Sequence, residues 1–158
     1  VSLQPSPAHL HPPQAMLRTI NALTLATCDM RGSCAFYEKL GLIRTFETPA
    51  FVTLSMSAPV TADNNRLHVN LQLDERFRAS APGESLGWGR AVVFVDDVDA
   101  LHASLAARGV AAPLPKDAPW GERYFHILDP MGHELSLATP DYSHPRWTRG
   151  VQGARERR

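Results

Sequence analysis

"LTLATCDMRGSCAFYEKLGL" (Leu23–Leu42) and "AVVFVDDVDALHASLAARGV" (Ala91–Val110) are one pattern written twice. Each is an apolar strand, an aspartate, then an amphipathic helix closed by glycine. Asp29 to Gly41 spans twelve positions, and so does Asp97 to Gly109. Aspartate suits a helix N-cap, where its carboxylate accepts orphan backbone N–H groups. Glycine suits the left-handed position that ends a helix. Cys34, Tyr37 and Leu40 fall on one stripe of the first helix, with Phe36 beside it, and Val98, Leu101 and Leu105 do the same in the second.

Strand-like segments follow each helix: "LIRTFETP", "FVTLSMS" and "RLHVNLQL" in the first half, "VAAPLP", "RYFHILD" and "HELSLAT" in the second. The copies are offset by 68 residues (97 − 29), too long for a solenoid repeat. The expected fold is therefore α+β: two tandem βαβββ modules, residues 16–73 and 90–140, forming cupped mixed sheets around a ligand cavity. Residues 74–89, with three glycines, a proline and serines, are expected to be a linker or lid. Residues 1–15 carry four prolines and no periodicity, as a disordered tail would. His9 and His11 there form an HxH with loose metal affinity. Residues 141–158 are expected to be a basic tail.

The formal net charge is zero, so no global field points to nucleic acid. No apolar run approaches the roughly 20 residues of a membrane span. Cys28 and Cys34 match neither a redox CxxC nor a zinc knuckle. Two reduced thiols and no apparent leader lead to a cytoplasmic expectation.

The duplicated pattern, with "CDMRGSCAFYEKLGL" in the first half and "PWGERYFHILDPMGHELSL" in the second, resembles the vicinal oxygen chelate superfamily, the glyoxalase I, bleomycin-resistance and extradiol-dioxygenase group. The resemblance covers about residues 18–140. It implies paired cups around a ligand, often in a homodimer. It also implies His and Glu metal ligands at four cup-facing strand positions. Here those positions hold Ala22, Asn70, Arg90 and Ser136. An ungapped offset would substitute His68 for Asn70. None of these is a strong donor set for a divalent cation.

Strand side chains alternate faces. Parity puts Ala22, Thr24, Ala26, Phe51, Thr53, His68, Asn70 and Gln72 on the cup face of the first module. Arg90, Val92, Phe94, Tyr124, His126, Glu134 and Ser136 take the cup face of the second. Glu134 falls one pleat before Ser136 and is expected at the rim as a salt-bridge partner, while His133 is expected on the other face or in solvent. Arg90 is expected to pair with Glu134, Glu122 or an anionic ligand. Trp120 and Trp88 are candidates for stacking on a planar ligand or for closing a dimer seam. Arg90, Asn70, Gln72, Phe51, Phe94, Tyr124, Trp120 and Ser136 are the expected ligand contacts.

The leading expectation is metal-free sequestration of a small aromatic or anionic molecule, with no cofactor, in a homodimer. The alternative is a lyase, isomerase or dioxygenase. It would use a displaced metal site built from His68, His126 and Glu134, or His126 or His68 as general base with Arg90 stabilising an oxyanion. A third expectation is a regulatory or scaffold module whose cup is filled by side chains. No phosphate-binding glycine loop or Ser-His-Asp spacing is present.

Overall fold

The computed structural model describes residue 20 and residues 22–56 and 67–146. The expectations for residues 1–15, for His9 and His11, and for the arginine-rich end after residue 146 concern positions outside the described residues. The element order is β1 (Ala22–Thr27), α1 (Met30–Lys39), β2 (Leu42–Thr48), β3 (Phe51–Met56), β4 (His68–Leu73), β5 (Arg90–Phe94), α2 (Val98–Ala107), β6 (Lys116–Ala118), β7 (Glu122–Leu128) and β8 (Glu134–Pro140).

Both modules have the same topology. The sheet orders are β1-β4-β3-β2 and β5-β8-β7-β6. The first strand of each module runs parallel to the last, and the other neighbours are antiparallel. The helix signals act as expected. Asp29 accepts from Gly32 N at 3.0 Å, and Asp97 accepts from Ala100 N at 2.9 Å. Gly41 and Gly109 follow the helix ends with φ of 95° and 74°.

The registers settle which residues correspond. Ala22 faces His68 as Arg90 faces Glu134, and Thr24 faces Asn70 as Val92 faces Ser136. Asn70, not His68, is thus the counterpart of Ser136.

One strand was misplaced. "VAAPLP" (110–115) is not a strand, and the pairing segment is Lys116–Ala118. Pro113 and Pro115 have no N–H to give a ladder, so pairing with β7 begins only after the second proline.

The helix-side faces of both sheets enter one core. Leu25, Val52, Leu54, Val69 and Leu71 share it with Phe125, Ile127, Leu135 and Leu137, and Tyr37 and Leu105 come from the helices. Each sheet turns its other face away from that core. Within one chain the two open faces therefore do not close on each other.

The 74–89 segment is fastened along its length. Asp74 N donates to Thr27 O, Ser80 N to Met131 O and Leu86 N to Gly132 O. The last two contacts tie it to the "DPMG" turn. Gly132 sits at φ 91°, and a Cβ there would meet Glu84 O and the Ser80 side chain at 2.8 Å. Only glycine accommodates both the turn and the overlying segment.

Candidate functional site

The open face of the second sheet gathers most of the expected ligand contacts. Arg90, Val92, Phe94, Trp120, Tyr124, His126 and Ser136 line a cavity of about 500 Å³ together with Glu122 and Arg146. The pleat explains the grouping. Arg90, Val92 and Phe94 are alternate residues of β5, and Glu122, Tyr124 and His126 are alternate residues of β7. Ser136 lies across from both Val92 and His126 and is buried at the floor.

An aromatic row starts in the turn before β7 and continues along the strand. Trp120 stacks on Tyr124 with centroids 5.8 Å apart and planes 29° apart, and Tyr124 tilts onto His126 at 4.9 Å. The Lys116 ammonium lies 5.3 Å from the Tyr124 centroid, within cation–π range. Trp120 donates its indole N–H to Glu122 at 2.9 Å, and Arg146 reaches Glu122 at 3.7 Å.

At the other end stand Arg90, Glu134 and His126. Glu134 pairs with Arg90 at 3.2 Å, as a rim carboxylate should. Arg90 is not buried; its side chain is 46% exposed. Arg90 Nη1 lies 2.8 Å from His126 Nε2 and 3.4 Å from Nδ1. A guanidinium can only donate, so the shorter contact makes Nε2 the acceptor. Such a contact favours the neutral imidazole with its proton on Nδ1, the nitrogen that lies 3.8 Å from Glu134. Partial burial, then the charge of Arg90, hold its pKa below the usual histidine value, with Glu134 opposing.

The first sheet keeps a different set. Thr53 donates to Asn70 Oδ1 at 2.9 Å, and Asn70 Nδ2 donates to Thr24 at 3.2 Å, a polar ladder across three strands. His68 Nδ1 bonds the Ser55 hydroxyl at 2.7 Å, which reaches Thr45 at 2.9 Å. Phe51 packs edge-on against Phe46 and sits opposite Gln72 in the register. His68 is thus on a different sheet from His126 and Glu134. Among the described residues no group of three or more His, Cys, Asp or Glu side chains is placed to hold a metal. The four positions where the resembling metal enzymes carry ligands present a methyl, an amide, a hydroxyl and a guanidinium, and the guanidinium's positive charge opposes a cation there. These residues do not fit a metal.

Of the two places expected for His133, the other face or solvent, solvent is excluded: the side chain is 5% exposed. Its Nε2 donates to Ala26 O at 2.9 Å, and its Nδ1 accepts the Trp88 indole N–H at 3.0 Å. Phe77 stacks on the ring at 5.8 Å. Trp88 therefore spends its polar edge on joining the 74–89 segment to both modules. Lys116 and Arg146 were missed as site residues. Lys116 was hidden by the misplaced strand, and Arg146 carries no pattern that marks it apart from the other C-terminal arginines.

The model of one family matches residues 19–137, described as glyoxalase/bleomycin resistance protein/dioxygenase superfamily. The chain belongs to that superfamily. Among solved structures it is similar to a bleomycin resistance determinant encoded on transposon Tn5, with TM-score 0.62, 18% identity, and coverage of 78% of this chain and 99% of that one. It is similar to TnmS3, an antibiotic binding protein from Streptomyces sp. CB03234, with TM-score 0.59, 26% identity and coverage of 80% and 99%. It is also similar to a superfamily protein from Nocardioides, with TM-score 0.60, 24% identity and coverage of 84% and 91%. No curated protein matches the sequence. For this superfamily member the fold agrees with the expectation: two four-stranded mixed sheets, each with its helix, in tandem βαβββ order. No helix among the described residues is long and apolar enough to cross a membrane.

Proposed function

We propose that this protein binds a small aromatic or anionic molecule in the second cup without a metal, as a sequestering protein of the cytoplasm. One observation carries this: the face presents the aromatic row Trp120–Tyr124–His126 ending at Arg90, whose positive charge opposes a cation. Stacking surface with a few directed polar groups is the usual make-up of a small-molecule site. The likeness to an antibiotic binding protein at 26% identity supports the same role. A homodimer completes it. Val92 and Phe94 are 57% and 47% exposed, and Phe46 on the first sheet is 55% exposed. Pairing the open face of one copy with the open face of another would cover them and enclose the cavity.

A second role is favoured by the His126 geometry. In it Arg90 turns from His126 Nε2 onto a developing oxyanion, and the freed Nε2 lone pair acts as general base while Nδ1 faces Glu134.

Ligand-observed NMR with a panel of small aromatic molecules, in excess chelator, tests the binding role. Binding that persists in chelator and is lost in Tyr124→Ala supports it. Binding that appears only with added divalent metal overturns it. Release of a chemically altered molecule would favour the general-base role.

A further inference from the structure

We infer that the ligand of the second cup is a planar aromatic acid, its carboxylate held by the outer edge of Arg90 and its ring laid against Tyr124 and Val92. This rests on the binding role proposed for that cup. A guanidinium carries five N–H donors in a rigid fork. Among the described residues Arg90 uses only Nη1, on Glu134 and His126. Nε and Nη2 have no partner among the described residues, and the side chain is 46% exposed in the cup. That edge matches a carboxylate with two parallel hydrogen bonds. Glu134 and His126 hold the guanidinium from the Nη1 side, so less freedom is lost when an acid docks.

The charge of the cup has the right sign. Arg90, Lys116 and Arg146 contribute three positive charges, and Glu122 and Glu134 two negative, so 3 − 2 leaves one positive charge with His126 neutral. One ligand carboxylate balances it. The size also fits. Val92 is one pleat from Arg90, about 7 Å, close to the length of a bicyclic aromatic ring. Val92 is exposed as the apolar floor, and Tyr124 projects from β7 on the same face. Ligand and cup meet without any covalent step.

The test titrates 2-naphthoate and its neutral isostere 2-naphthamide into the full chain by calorimetry, at low and high salt. The acid should bind at least about tenfold more tightly than the amide, as a charge-assisted bidentate pair is worth. Salt should weaken the acid alone. Arg90→Gln should reduce the acid to the level of the amide and leave the melting temperature near wild type. Tyr124→Ala should weaken both molecules alike. Equal binding of acid and amide overturns the acid assignment while cup binding stands. Failure of both to bind overturns the assignment together with the binding role beneath it. The salt comparison on wild type needs no variant, so a misfolded Arg90→Gln does not shield the proposal.

Discussion

Tyr37 donates its phenolic hydrogen to Asp129 at 3.0 Å across 92 residues, and both side chains are buried. The bond joins the helix of the first module to the "DPMG" turn of the second. Asp129 also accepts from the backbone N–H groups of Met131 and His133, both at 2.9 Å. Burial, with the Asp129 charge beside it, pushes the Tyr37 hydroxyl pKa well up, so it stays a donor. Tyr37→Phe removes one of three donors from a buried carboxylate. The expected loss is about 1–3 kcal/mol of stability, the cost of an unsatisfied buried group. Urea unfolding checks it, and an unchanged midpoint would show that the bond carries nothing.

Gly132→Ala should also destabilise, by about 1–3 kcal/mol, because alanine is strained at positive φ and its methyl would meet the overlying Glu84–Ser80 backbone and side chain. The 74–89 segment should then lose its grip on the turn. Limited proteolysis should cut near Arg76 and Arg78 faster than in wild type. An unaltered digestion pattern would mean that Phe77, Trp88 and His133 hold the segment by themselves.

Stability should fall with acid through His126. Its folded pKa lies below the ordinary value of about 6.5, so the unfolded chain binds the proton more readily. The contribution is intact above the unfolded pKa and declines as pH drops from about 6.5 through the folded value. His126→Gln should flatten that part of the profile of melting temperature against pH. Parallel profiles would show that other groups set the acid limb.

The proposed dimer should be read by light scattering at micromolar concentration. Val92→Lys places a charge on the exposed apolar floor and should shift the protein to monomer. A wild-type monomer would contradict the pairing of open faces.

Much of this was legible in the sequence, for physical reasons. The Asp-to-Gly spacing located both helices because caps are local chemistry. Strand parity put Arg90, Tyr124, His126 and Glu134 on one face because the pleat has period two. The strand at Lys116–Ala118 was not legible, because three residues between prolines carry no alternation to read. The role of His133 was hidden too. Its partners Ala26, Phe77 and Trp88 come from distant parts of the chain, and no local pattern encodes their meeting. Parity gave the faces of the two sheets but could not show that those faces point away from a shared core.

The most direct test of the central claim is divalent-metal binding by the full chain with His9 and His11 replaced by alanine, which removes the tail histidines from the question. The protein is dialysed against chelator, offered Mn, Fe, Ni and Zn in turn, and followed by bound-metal analysis and thermal melting. No stoichiometric metal and no rise in melting temperature are expected. One equivalent of metal with a clear rise, lost in Glu134→Gln, would contradict it and place a metal centre at the cup rim.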